Sequence, residues 1–180
     1  MFNLERFVEE CRAAVQADPT HKAAAEVMAR AFRDPGAIAT ALGEPTGPAL
    51  TPIYKSADLT IINLVWKPSI TVQPHNHEMW AVIGIYGGRE DNIFWRRIKD
   101  DPAGRIEAAG AKSLGPKDVR PLGDDIIHSV SNPTSKLTGA IHVYGGDFFS
   151  KHRSEWETEG LEERDYDIEK NIKLFERANR

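Results

Sequence analysis

Cysteine is almost missing from this chain: of 180 residues, only Cys11 carries a thiol. One Cys closes no internal disulfide, which fits a reducing cytosol and sets the expectation of a cytoplasmic protein. A thiolate-rich zinc site is excluded as well, so any metal must rely on His and carboxylates. Long apolar runs are missing too. Leu59 to Trp66 is broken by Thr60 and Asn63 and is far too short to span a bilayer, so no membrane partner is expected. The opening Met-Phe-Asn-Leu-Glu-Arg-Phe places acid where a secretion signal needs an apolar stretch, and no such signal is expected. Excess positive charge is also absent. The 23 Lys and Arg face 27 Asp and Glu, a net charge of -4, which argues against a dedicated nucleic-acid binder. The 41% hydrophobic content and the length suit one domain over residues 1–180 with a proper core.

What is present sorts into three stretches. Residues 1–43 read as helices. Asn3 can cap a segment with Leu4, Phe7, Val8, Cys11 and Val15 on one stripe, Thr20 can cap a second, and Asp34-Pro35 opens a short third that ends near Gly43. Three prolines between Glu44 and Pro52 then mark the change to strands. From Ile53 to Phe149, segments rich in β-branched and aromatic residues alternate with Gly and Pro clusters and no long helical pattern intervenes. Many short strands with tight turns indicate a mainly β, antiparallel sandwich or barrel. Residues 150–180 form an acidic tail: eight acidic residues against Arg164 between Glu155 and Glu169 read as a solvated face. Ile168, Ile172 and Phe175 predict a terminal amphipathic helix.

The chemistry concentrates at Pro74-His75-Asn76-His77. In a strand, alternate side chains share a face, so His75 and His77 are expected to project into one cavity. His128, further along in Ile127-His128-Ser129-Val130, supplies a third imidazole, since a barrel brings distant strands side by side. Imidazole ligation suits iron, zinc, copper or nickel alike, so the ligands do not name the ion. A second pair, His142 and Tyr144, lies on the face opposite Ile141 and Val143. It is either a polar pair aimed at the cavity or a packed Tyr with a neighbouring His.

Three blocks carry a resemblance: Pro74-His75-Asn76-His77 with Trp80, Gly84, Gly87-Gly88, Glu90 and Asn92; Ile127 to Asn132; and Ile141-His142-Val143-Tyr144-Gly145. In order and spacing they resemble the cupin superfamily, and within it the thiol dioxygenases (cysteine and 3-mercaptopropionate dioxygenase). Similar blocks occur in bacterial cupins described only as metal-dependent enzymes. The resemblance spans about Ile53 to Phe149. It implies a double-stranded β-helix, or jelly-roll barrel, with helices before and after it. It also implies Fe(II) on His75, His77 and His128, with zinc, nickel or copper as other occupants. A small thiol carboxylate and O2 are the implied substrates, and His142 and Tyr144 the implied catalytic pair.

The chain departs from that family at several positions. The Ser that precedes the outer His by two residues is Ala140, and the Cys that cross-links the Tyr corresponds to Val82. Glu90, beyond a Gly-Gly turn, reads as structural. The Arg that clamps the substrate carboxylate has no clear counterpart. Lys55, Arg96 and Trp80 are the candidates for substrate contact, and of Arg96 and Arg97 alternation lets only one face inward. These departures leave open a different metal-cupin enzyme, such as a non-thiol oxygenase or an isomerase, or a non-enzymatic binding cupin. An exposed sheet edge can pair with a second copy, so a homodimer is also open.

Overall fold

Three helices come first, and each begins on a side chain that caps it. The computed structural model describes residues 1–176, so the last four residues of the acidic tail, 177–180, lie outside the described residues. Helix α1 (Leu4–Ala17) starts at Asn3, whose side chain accepts from the Arg6 amide. Helix α2 (His21–Ala31) starts at Thr20, which accepts from Lys22. Helix α3 (Pro35–Leu42) starts at Asp34, which accepts from Ala37 with Pro in the first turn, and it ends at Gly43 (φ 82°).

Strands follow: β1 (Ala49–Lys55), β2 (Thr60–Trp66), β3 (Thr71–His75), β4 (Ala81–Gly87), β5 (Glu90–Arg97), β6 (Ile106–Leu114), β7 (Val119–Leu122), β8 (Ile127–Ser131) and β9 (Thr138–Tyr144). Their pairing is nested. β5 pairs with β6, β4 with β7, β3 with β8 and β2 with β9, all antiparallel. This is one long hairpin rolled upon itself, the double-stranded β-helix or jelly roll. The rolling produces two sheets, one ordered β1-β2-β9-β4-β7 and one in which β3-β8-β5-β6 is extended at β3 by two short strands, β10 (Ser154–Trp156) and β11 (Glu163–Asp165).

Two apolar layers follow from the alternation of side chains. Ile62, Leu64 and Trp66 of β2, Ile83 and Ile85 of β4 and Tyr144 of β9 face the space between the sheets. Ile61, Val82, Tyr86, Ile141 and Val143 face the other way and pack with Phe7, Met28 and Phe32 of the helical layer. The first sheet is thus buried on both faces, which is why its strands read as unbroken apolar runs. Gly84 permits the close approach: a Cβ there would meet the Phe32 ring at 2.5 Å. Cys11 lies in this layer, where burial pushes its thiol up to about 12 and keeps it protonated.

Two stretches differ from the sequence expectation. β1 begins at Ala49, inside the Pro-rich stretch. Pro52 is tolerated because β1 is an edge strand whose register shifts between Pro52 and Tyr54. The acidic tail is also more than a solvated face. β10 (Ser154–Trp156) and β11 (Glu163–Asp165) extend the second sheet beside β3. Three-residue strands are too short to leave a periodic pattern. Glu155 is buried there, held by Lys170 at 2.9 Å and by the Asn171 amide at 3.1 Å. Helix α4 (Ile168–Glu176) then lays Ile168, Leu174 and Phe175 on the inter-sheet core. Among the described residues, no helix is long and apolar enough to cross a membrane.

Candidate metal centre

His75 closes β3 and pairs across to His128 on β8. His77 lies beyond the end of that strand, so simple alternation is not what turns it inward. Asn76 does so: its amide donates to Ser154 O, and its side-chain oxygen accepts from the Ser154 amide at 2.8 Å. Glu78, next in the chain, takes a left-handed conformation (φ 53°) and completes the turn. All three imidazoles are buried, and one nitrogen from each lies within 4.8 Å of the others.

The free nitrogens converge. His75 Nδ1–H donates to Gln73 O at 2.9 Å and His128 Nδ1–H to Asn92 Oδ1 at 2.7 Å, so both Nε2 lone pairs remain free. His77 Nε2 lies 3.4 Å from His128 Nε2. That is long for a hydrogen bond, but it is the separation of two ligands each about 2.1 Å from one ion at a tetrahedral angle. His77 Nδ1 is buried without a hydrogen-bond partner among the described residues. The donor set therefore fits an imidazole-binding metal.

Burial also keeps the rings neutral, the form that ligates. Desolvation lowers His75 to about 4, and it lowers His77 and His128 well below the usual histidine value. The sign of the pH effect follows. Between about pH 6.5 and 4 the unfolded chain binds protons that the folded chain refuses, so stability falls as pH falls. Metal-free protein is expected to lose about 3 kcal/mol across that window from His75 alone. Urea unfolding at several pH values checks this, with His75→Gln as the control. A slope equal in the two proteins would contradict it.

A hydrogen-bonded chain runs from β9 to His128. Tyr144 and His142, two apart on β9, meet at 3.0 Å between the hydroxyl and Nδ1. His142 Nε2 reaches Glu90 Oε2 at 3.2 Å, and Trp66 Nε1 donates to the same oxygen at 2.9 Å. Asn92 Nδ2 donates to Glu90 Oε1 at 3.0 Å, and Asn92 Oδ1 closes the chain on His128. Burial pushes the Tyr144 hydroxyl far up, so it keeps its proton. The outer pair thus faces the cavity, and a carboxylate meets His142 although the Ser position holds Ala140.

The remaining sequence candidates do not gather here. Lys55 is half exposed, pairs with Asp147 at 3.3 Å and lies over Phe149, away from the three histidines. Arg96 is on the outer surface, paired with Glu107 at 2.7 Å, and Arg97 pairs with Glu163. Trp80 packs in the helical layer, where its Nε1–H donates to Pro19 O at 2.8 Å. Each already has a partner or a packing role on another face, and none of the four lines the cavity.

Arg153, which is not among the sequence candidates, lies behind two rings of the cavity wall. Its side chain is buried, stacked 4.4 Å from the Phe148 centroid and 4.0 Å from that of Tyr166, two rings that wall the cavity. Nη1 donates to Phe148 O and Lys151 O, while Nε and Nη2 reach no acceptor at hydrogen-bond geometry among the described residues, although the guanidinium offsets part of the rise that burial imposes on the neighbouring Tyr166 hydroxyl. Its charge contributes to the lowering of His75 and His77. Nothing in Lys151-His152-Arg153-Ser154-Glu155 marks this residue in the sequence, where the run reads as solvated. The cavity is about 40 Å³, roofed by Ile168, Ile172 and Phe175 of α4.

No protein-family model matches the chain. Solved structures give partial overlaps. An uncharacterised conserved protein with a double-stranded β-helix domain from Klebsiella pneumoniae is similar at a TM-score of 0.43 and 10% identity, over 58% of this chain and 77% of that one. Oxalate decarboxylase from Bacillus subtilis at pH 4.6 is similar at 0.42 and 19%, over 53% of this chain and 23% of that one. The match thus spans about a quarter of the decarboxylase chain. The fold assignment rests on the nested strand order, which is the architecture of cupins.

Proposed function

We propose that this protein is a non-haem iron dioxygenase that converts a small thiol carboxylate to its sulfinate, RSH + O2 → RSO2H. Both oxygen atoms go to sulfur, which gives up four electrons as O2 takes four. The observation that carries this reading is Arg153, a buried cation near the three-histidine cluster with two nitrogens unpartnered among the described residues. Fe(II) on His75, His77 and His128 would supply a site for the thiolate and the means to activate O2.

The chain's own residues do the rest. Arg153 receives the carboxylate through its free N–H groups, in a guanidinium fork that matches that planar anion. Phe148, Phe175 and Val72 keep water from the reacting sulfur. Tyr144 keeps its proton on the hydroxyl, which donates to His142 Nδ1 and leaves oxygen lone pairs for the substrate. The small cavity favours a substrate of a few atoms. A thiol substrate that must stay reduced suits the cytosol, as does the single Cys.

Anaerobic loading with Fe(II), followed by oxygen uptake with cysteine, 3-mercaptopropionate and related thiols, tests the reading. Uptake with stoichiometric sulfinate is expected. No uptake and no sulfinate with any thiol would sink it. Tyr144→Phe is expected to keep its metal yet turn over about 10²-fold more slowly, because His142 Nδ1 loses its donor and the substrate loses the hydroxyl oxygen beside it. Metal content together with kcat checks this, and loss of the ion would contradict the role given to Tyr144.

A further inference from the structure

Glu90 is fully buried on β5, and three donors converge on it. Trp66 Nε1–H can only donate, the Asn92 amide NH2 can only donate, and a carboxylate can only accept. The directions then propagate without choice. Asn92 turns its nitrogen to Glu90 and so presents Oδ1 to His128, whose Nδ1 must carry the proton. On the other side, His142 must donate through Nε2 to Glu90, leaving Nδ1 to accept from the Tyr144 hydroxyl.

We propose that Glu90 is a positioning residue that sets the tautomers of two histidines: that of His128 through Asn92, and that of His142 directly. It rests on the reading of His128 as a metal ligand, because a proton on Nδ1 leaves Nε2 free for an ion. One buried carboxylate thereby holds both the metal-facing lone pair and the outer His–Tyr pair in working orientation. Such outer partners fix ligand tautomer and ring angle elsewhere in metalloproteins.

Glu90→Gln separates this role from mere packing, because it preserves shape and changes only the pattern of donors. Trp66 Nε1–H holds the new oxygen at the Oε2 position, so the new amide nitrogen faces Asn92. Asn92 then reverses, its NH2 faces His128, and the His128 proton moves to Nε2. Adding Asn92→Asp to Glu90→Gln restores an acceptor to His128 and reverses the effect.

The test uses the metal-free full chain and Zn(II) as probe. Nitrogen-15 NMR of the imidazoles is expected to show His128 protonated at Nδ1 and His142 at Nε2 in the parent protein. His128 is expected to switch to Nε2 in Glu90→Gln and to return in the double variant. Zn(II) affinity, by competition with a chromogenic chelator, is expected to fall roughly 10–100-fold in the single variant and to recover in the double. An unswitched His128 in Glu90→Gln, or a double variant that fails to recover, would overturn the proposal. If Glu90→Gln does not fold, the parent spectrum decides alone: the opposite tautomer at either ring overturns it. A parent chain with these tautomers that binds no Zn(II) defeats the metal reading instead. One that binds metal but oxidises no thiol defeats only the proposed reaction.

Discussion

His77→Ala is expected to leave the protein without its ion at metal concentrations that load the parent chain, and without turnover. The substitution removes one of three converging nitrogens, and among the described residues no fourth His, Cys, Asp or Glu joins the cluster. Thermal unfolding gives a measure that does not depend on activity. A ligand present at a thousand times its dissociation constant stabilises the folded state by about 4 kcal/mol. For a chain of this size that raises Tm by about 10 °C. The parent should show such a rise on metal addition, and His77→Ala should show none. Without metal the two proteins should melt at similar temperatures. The cavity left by the imidazole is offset by removal of a buried Nδ1 that has no partner among the described residues. A metal-dependent rise of equal size in both would remove His77 from the ligand set.

Arg153→Met is expected to lower kcat/KM for thiol carboxylates by about 10²- to 10³-fold, the loss that follows when one side of a buried, hydrogen-bonded charge pair is truncated. Met keeps an unbranched apolar stem between Phe148 and Tyr166 but offers no donor. It also forfeits the Nη1 bonds to Phe148 O and Lys151 O, so some stability is lost. Substrate choice separates the two effects. Oxidation of a thiol without a carboxylate, such as 2-mercaptoethanol, should change by no more than a few-fold. An equal fall with both kinds of thiol would mean that Arg153 supports the wall and does not receive the substrate.

The three histidines were legible because a strand-rich region carried two of them two residues apart and a third at barrel distance. Their convergence has a cause that the pattern did not hold, since Asn76 turns His77 inward through the Ser154 backbone on a strand too short to be seen. The nested jelly roll was legible as short strands between turn signals. Faces were harder to read. β4, Ala-Val-Ile-Gly-Ile-Tyr-Gly, is apolar on both sides, so nothing in it says which side looks at the cavity. Trp80, just before β4, could therefore be expected at the site, whereas it packs under the helices. Cations were the least legible. Lys55, Arg96 and Arg153 are all cations in the sequence, and only the fold shows that the first two have carboxylate partners while the third has none among the described residues.

Trp66 gives the site its own optical gauge. Its indole lines the same cavity as the three histidines, lies 6.0 Å from the His142 ring between centroids, and is tied to Glu90. Trp80 sits in the other apolar layer, and Trp95 and Trp156 belong to a separate cluster beside β8 and β10. Occupancy of the cavity is therefore expected to change the emission of Trp66. Loading, exchange and substrate entry can thus be followed in the unlabelled protein, with Trp66→Phe to identify the source of the signal.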